Sequence, residues 1–113
     1  MNKTTVIALS LSALLCVSKV SLGAVTMTGY IAYGCGKWVN DSKHPAIKVG
    51  QENALAGFLS GIAFATDQDA LKGVDFDSYH LWVTNYCTAN PLESAFHAAE
   101  ALFIELKKRK GIK

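Results

Sequence analysis

The sequence predicts a small all-α protein: a bundle of three to four helices, stapled by one disulfide, after a cleaved signal peptide. Three observations lead there. Apolar residues recur at i, i+3, i+4 and i+7 in separate stretches, the spacing of one helix face. The chain starts with a short basic and then apolar leader, which implies an oxidising destination. Beyond that leader only two cysteines remain, Cys35 and Cys87.

Residues 1–23 read as the signal peptide. Lys3 opens it, an apolar run extends from Val6 to Val17, and small residues stand at Ser21 and Gly23, the −3 and −1 sites. The run is about a dozen residues, too short to cross a bilayer core of about 30 Å. No later stretch is long enough either, so no stable membrane insertion is expected after cleavage. Cys16 follows Leu14 and Leu15 rather than the small residue lipidation requires, and leaves with the leader. The expected location is the periplasm or the medium.

Residues 24–113 then form a single helical domain. Removing Lys3 and Lys19 leaves nine basic residues against nine acidic ones. Lys107, Lys108, Arg109, Lys110 and Lys113 crowd the C-terminal end, so the body before them is acidic. A nucleic-acid binder would carry a basic stripe on the fold, so no nucleic-acid partner is expected.

Residues 24–34 read as an extended or irregular lead-in. "CGKWVND", 35–41, begins a short helix with Cys35, Trp38 and Val39 on one side. Residues 42–50 read as a loop, because Pro45 disfavours helix at His44 and Gly50 interrupts again. From Gln51 to Ala65, the residues Leu55, Phe58, Leu59 and Ile62 mark one helix face. Gly57 and Gly61 share a neighbouring stripe. Each costs about 1 kcal/mol against alanine in a helix, so close approach of another helix is the expected compensation.

"TDQDALKGVDFD", 66–77, is an acidic connection. Asp67, Asp69, Asp75 and Asp77 suggest calcium at first sight, but Gly73 is misplaced and no Glu closes the loop. They read instead as helix caps and a solvated surface, with Asp77 capping the next helix. As exposed carboxylates they are also the candidate contacts for a protein partner.

In residues 78–89, Tyr79, Trp82, Val83, Tyr86 and Cys87 share one stripe, which points Cys87 into the core. Asn90 then reads as an N-cap, Pro91 as the first helical residue and Glu93 as the partner in a capping box. A last helix over 91–109 is expected to bury Leu92, Ala95, Phe96, Ala99, Leu102, Phe103 and Leu106.

Catalysis finds little support. An inward Cys87 is not an exposed, activated thiol, and structural zinc needs four Cys/His ligands where this sequence scatters them singly. Glu93, His97 and Glu100 share one helix face, a weak polar cluster that reads as solvated surface. No nucleotide motif or Ser/His/Asp ordering is present, so no cofactor, no metal and no enzymatic activity are expected. Cys35 and Cys87 are best read as a disulfide.

"CGKW" at 35–38, "GFLSG" at 57–61 and "WVTNYCTANPL" at 82–92, followed by "AAEALFIEL", resemble a group of small exported proteobacterial proteins. The layout is also similar to the acid-stress chaperones HdeA and HdeB. It is similar again to the Rap/Tai immunity proteins of type VI secretion, whose late helices carry a comparable tyrosine-then-proline pattern. These resemblances imply periplasmic work by binding another protein, as an immunity or inhibitor-like factor, a chaperone, or an accessory part of an envelope or secretion machine.

Overall fold

The computed structural model describes residues 25–113; the leader and Cys16 lie outside them. A 3-10 turn at Tyr30–Ala32 is followed by four helices: α1 (Cys35–Asp41), α2 (Pro45–Thr66), α3 (Phe76–Ala89) and α4 (Ala95–Arg109). Among the described residues there is no strand, only an isolated antiparallel bridge between Gly34 and Ser94. The all-α expectation holds.

The disulfide joins Cys35, the first residue of α1, to Cys87 in the last turn of α3, with Cα atoms 4.7 Å apart. Around it packs one core. Trp38 comes from α1, Leu55 and Leu59 from α2, Val83 from α3, and Ala95, Ala99 and Leu102 from α4. The alanines let α4 approach closely, so its backbone lies near the centre of the molecule.

Two boundaries differ from the expectation. The expected loop over 42–50 is largely helix, because Pro45 starts α2 rather than preventing it. His44 stays extended as the N-cap, which is what a following proline favours, and proline suits the first helical position. Gly50 does not interrupt the helix. The Tyr30 ring lies against it, and a Cβ built there would fall 2.5 Å from the ring. Glycine here admits an aromatic plug.

The second difference is at the start of α4. Asn90 closes α3, donating from its backbone and its amide to the Tyr86 carbonyl, each at 2.9 Å. Residues 91–94 then run as a turn, and Ser94 caps α4. The expected capping box is overridden from a distance. Cys35 N–H donates to Glu93 O and Ala95 N–H to Tyr33 O, both at 2.8 Å. Those bonds hold Ser94 extended, so helix begins only at Ala95. Leu92, expected in the core, is fully exposed.

α2 ends at Asp67, whose φ of 52° is left-handed, with Gln68 N–H reaching back to Ala63 O at 3.1 Å. α4 ends in the same way. Gly111 takes a positive φ, and Ile112 N–H returns to Lys107 O at 3.0 Å, folding Ile112 against the core.

Closing a loop with a separation of 52 positions stabilises the fold by about 4 kcal/mol on chain-entropy grounds. Cys87→Ser and Cys35→Ser should each lower unfolding free energy by about 2–5 kcal/mol in urea titrations. The double variant should lose little more than either single one, since all three lose one shared bond. Additive losses would mean that the two sulfurs stabilise the fold separately.

Candidate functional site

Two turns before Cys87 on α3, where that helix packs on α2, the core becomes polar. Gln51 of α2 is fully buried, and His80 of α3 is 5% exposed. Gln51 Nε2 donates to the Trp38 carbonyl at 3.0 Å, which makes Oε1 the acceptor on the other side. His80 Nε2 lies 2.8 Å from that Oε1, so this nitrogen carries the proton. The second ring nitrogen, Nδ1, has no hydrogen-bond partner among the described residues. Ser42 Oγ sits 2.7 Å from the Trp38 carbonyl and 3.0 Å from Gln51 Oε1, and its one proton can serve either. Trp38 donates its indole N–H to Thr84 Oγ1 at 3.1 Å.

Neither Gln51 nor His80 stands out in the sequence reading. The signal is there in retrospect: Gln51, Leu55 and Leu59 share one stripe, as do His80, Val83 and Cys87. A polar residue on an otherwise apolar face must find its partners inside the protein.

Above this node, Val39, Lys43, Lys48, Asp77 and Leu81 frame an open groove of about 480 Å³, with His80, Ser42 and Thr84 also lining it. Lys48 Nζ stands 3.0 Å from Asp77 Oδ1 and 3.2 Å from Glu52 Oε1. The Glu52 oxygen is buried, and its contact with Lys48 is an ion pair without hydrogen-bond alignment. Asp77 is held below the usual carboxylate range, chiefly by the hydrogen bond from Lys48.

The residues marked out by sequence fall into separate roles. Asp67 terminates α2, and Asp69 is exposed in the connection. Asp75, not Asp77, caps α3, accepting from Ser78 N–H at 2.8 Å and from the Ser78 hydroxyl at 2.9 Å. Asp77 pairs with Lys48 instead. The basic end folds back on the same connection: Lys110 Nζ donates to the Lys72 carbonyl, and Gln68 Nε2 to the Lys113 carbonyl at 3.1 Å. All four aspartates are exposed, each with its own local role. Of the weak polar cluster, Glu93 and His97 meet at 3.2 Å in solvent, while Glu100 stands apart at the edge of a depression between α2 and α4. Among the described residues no three His, Cys, Asp or Glu side chains converge as metal ligands, and no helix is long and apolar enough to cross a membrane.

That depression, about 410 Å³, is lined by Ile62, Glu100, Phe103 and Ile104. Ile104 is 66% exposed, and Phe64, near the end of α2, is 91% exposed. Gly57 and Gly61 face open space, with nothing within 4 Å of a Cβ built on either. The close helix expected against these glycines is absent among the described residues. Their helix-weakening effect is not offset inside this chain.

The start of α3 gathers the groups most sensitive to acid. Burial holds His80 below its ordinary value of 6.5, with Lys48 adding to the effect while Glu52 and Asp77 oppose it. The unfolded chain therefore takes up this proton first, so the contribution of neutral His80 is complete above pH 6.5 and fades below it. Asp75 is held low by hydrogen bonds from Ser78, and Asp77 by Lys48. Their contributions are present above about pH 3.8 and vanish as pH falls through the lower folded values. The urea midpoint should fall as pH drops below 6.5. In His80→Gln that particular fall should disappear, although the variant starts less stable at pH 7. Equal falls in both proteins would place its origin elsewhere.

No protein-family model, no curated protein and no solved structure matches this chain.

Proposed function

We propose that this chain is an exported, non-catalytic module that docks on another protein through the outward stripe of α2. The observation that carries the reading is the pairing of a fully presented Phe64 with two bare glycines on the longest helix. An aromatic side chain is a typical anchor at interfaces, and glycine lets a partner's backbone come close. Ile62, two residues before Phe64 and so on the opposite side of the helix, lines the separate depression beside Phe103 and Ile104. The disulfide favours this use because a preorganised surface loses less conformational freedom on binding. An inhibitor or immunity factor works this way, by covering a site on its partner.

The test is photo-crosslinking in the producing cell from a residue placed at Ser60, which is exposed beside the glycines. One discrete protein adduct is expected. It should vanish in Phe64→Glu and in Gly57→Leu, while thermal unfolding stays close to that of the parent. An adduct that survives both substitutions, or no adduct, defeats the assignment to this face.

A second reading, an acid-opened chaperone, draws on the acid-sensitive start of α3. Protonated carboxylates at about pH 2 would leave the basic side chains unopposed. Opening there would uncover Trp82 and Phe103 for clients. Tryptophan fluorescence and dye binding should then change together on acidification, and a fold that stays closed at that pH removes the reading.

A further inference from the structure

A third concavity lies away from both the α2–α4 face and the His80 groove. It sits between α3 and α4 at the end of the acidic connection, encloses about 260 Å³, and is the least open of the three. Trp82, Val74, Leu102 and Leu106 form its apolar lining, and Arg109 and Lys110 stand at its rim. Trp82 is stacked on Tyr86 with ring centroids 5.6 Å apart and planes 18° from parallel. That stacking holds the indole in place, half-buried, rather than leaving it to fill the space.

The rim is more positive than its own pairings need. Arg109 spends Nε on Glu105 at 2.8 Å, which leaves the terminal guanidinium nitrogens uncommitted in that pair. Lys110 donates to the Lys72 carbonyl with one of three hydrogens. Glu105 is therefore answered by Arg109, held below the usual carboxylate range by that hydrogen bond. Asp75, at the near end of α3, is answered by Ser78. One carboxylate against two cations leaves a net positive edge over an aromatic floor.

From this pairing we infer that the cavity binds a small amphipathic organic anion, a planar ring bearing a carboxylate. The ring would lie in the apolar lining with Trp82, and the carboxylate would meet Arg109 and Lys110 at the rim. The volume falls below the roughly 300–1,000 Å³ of drug-sized sites, which fits one or two fused rings. The contact of Lys110 with the Lys72 carbonyl holds one of the two cations in place. A cavity of this size, more enclosed than the other two, suits a free small molecule better than a protein segment. The inference stands independently of the docking face.

The test is a titration with 2-naphthoate beside its neutral analogue 2-naphthamide, followed by calorimetry and by the Trp82 indole N–H resonance. Naphthoate should bind one-to-one and shift that resonance, and naphthamide should bind roughly tenfold more weakly. Arg109→Gln with Lys110→Gln should remove most of the difference, because it deletes both cations and leaves Glu105 unanswered beside the carboxylate. Val74→Trp, which fills the cavity, should abolish binding of both compounds while the thermal transition is kept. Absence of saturable binding, equal affinity for the two compounds, or shifts confined to residues outside α3 and α4 would overturn the proposal.

Discussion

Cys35 and Cys87 tie the first residue of α1 to the last turn of α3, and the backbone closes a second time beside them, where residues 33 and 35 pair with 95 and 93. Three helix ends therefore meet at one point. α1 has only seven residues, too few to be stable alone, and it holds its position because this junction anchors it. Trp38 follows Cys35 by one turn, and Thr84 precedes Cys87 by one turn. The hydrogen bond between those side chains repeats the link between the same two helices.

From that junction the polar node is built outward. The Trp38 carbonyl, held by α1, receives the Gln51 amide, and Gln51 in turn receives the His80 proton. Each group buried here would be costly if unpaired, and satisfied together they fix how α1, α2 and α3 sit against one another. Asp77, Lys48 and Glu52 continue the arrangement to the surface. The start of α3 is thus held by charge and hydrogen bonding, whereas α4 is held by the burial of Ala95, Ala98, Ala99, Leu102 and Phe103. Acid acts on the first kind of contact and hardly on the second.

A small stapled body leaves its distinctive chemistry on the outside. Phe64 and Ile104 each present apolar surface to water, and the cavity by Trp82 is lined in part by Arg109 and Lys110. Inside, Trp38, Ser42, Gln51 and His80 bond chiefly to one another.

The sequence by itself determined the helical class, the pairing of Cys35 with Cys87, and the inward stripes of α2, α3 and α4. These follow from a 3.6-residue period and a cysteine count, which are local or arithmetical properties of the chain. Tertiary contacts alone settled what Gly50 and Ser94 do. Gly50 reads as a breaker until Tyr30, twenty positions before it, is seen against it. The capping residues Asn90 and Glu93 are locally sound, yet α4 waits until Ala95 because backbone bonds with residues 33 and 35 tie down residues 93 and 95 and leave Ser94 extended between them. In the same way Gly57 and Gly61 announce a close neighbour that the described chain does not supply. The partners in each case lie far off in sequence, where no period or spacing reaches.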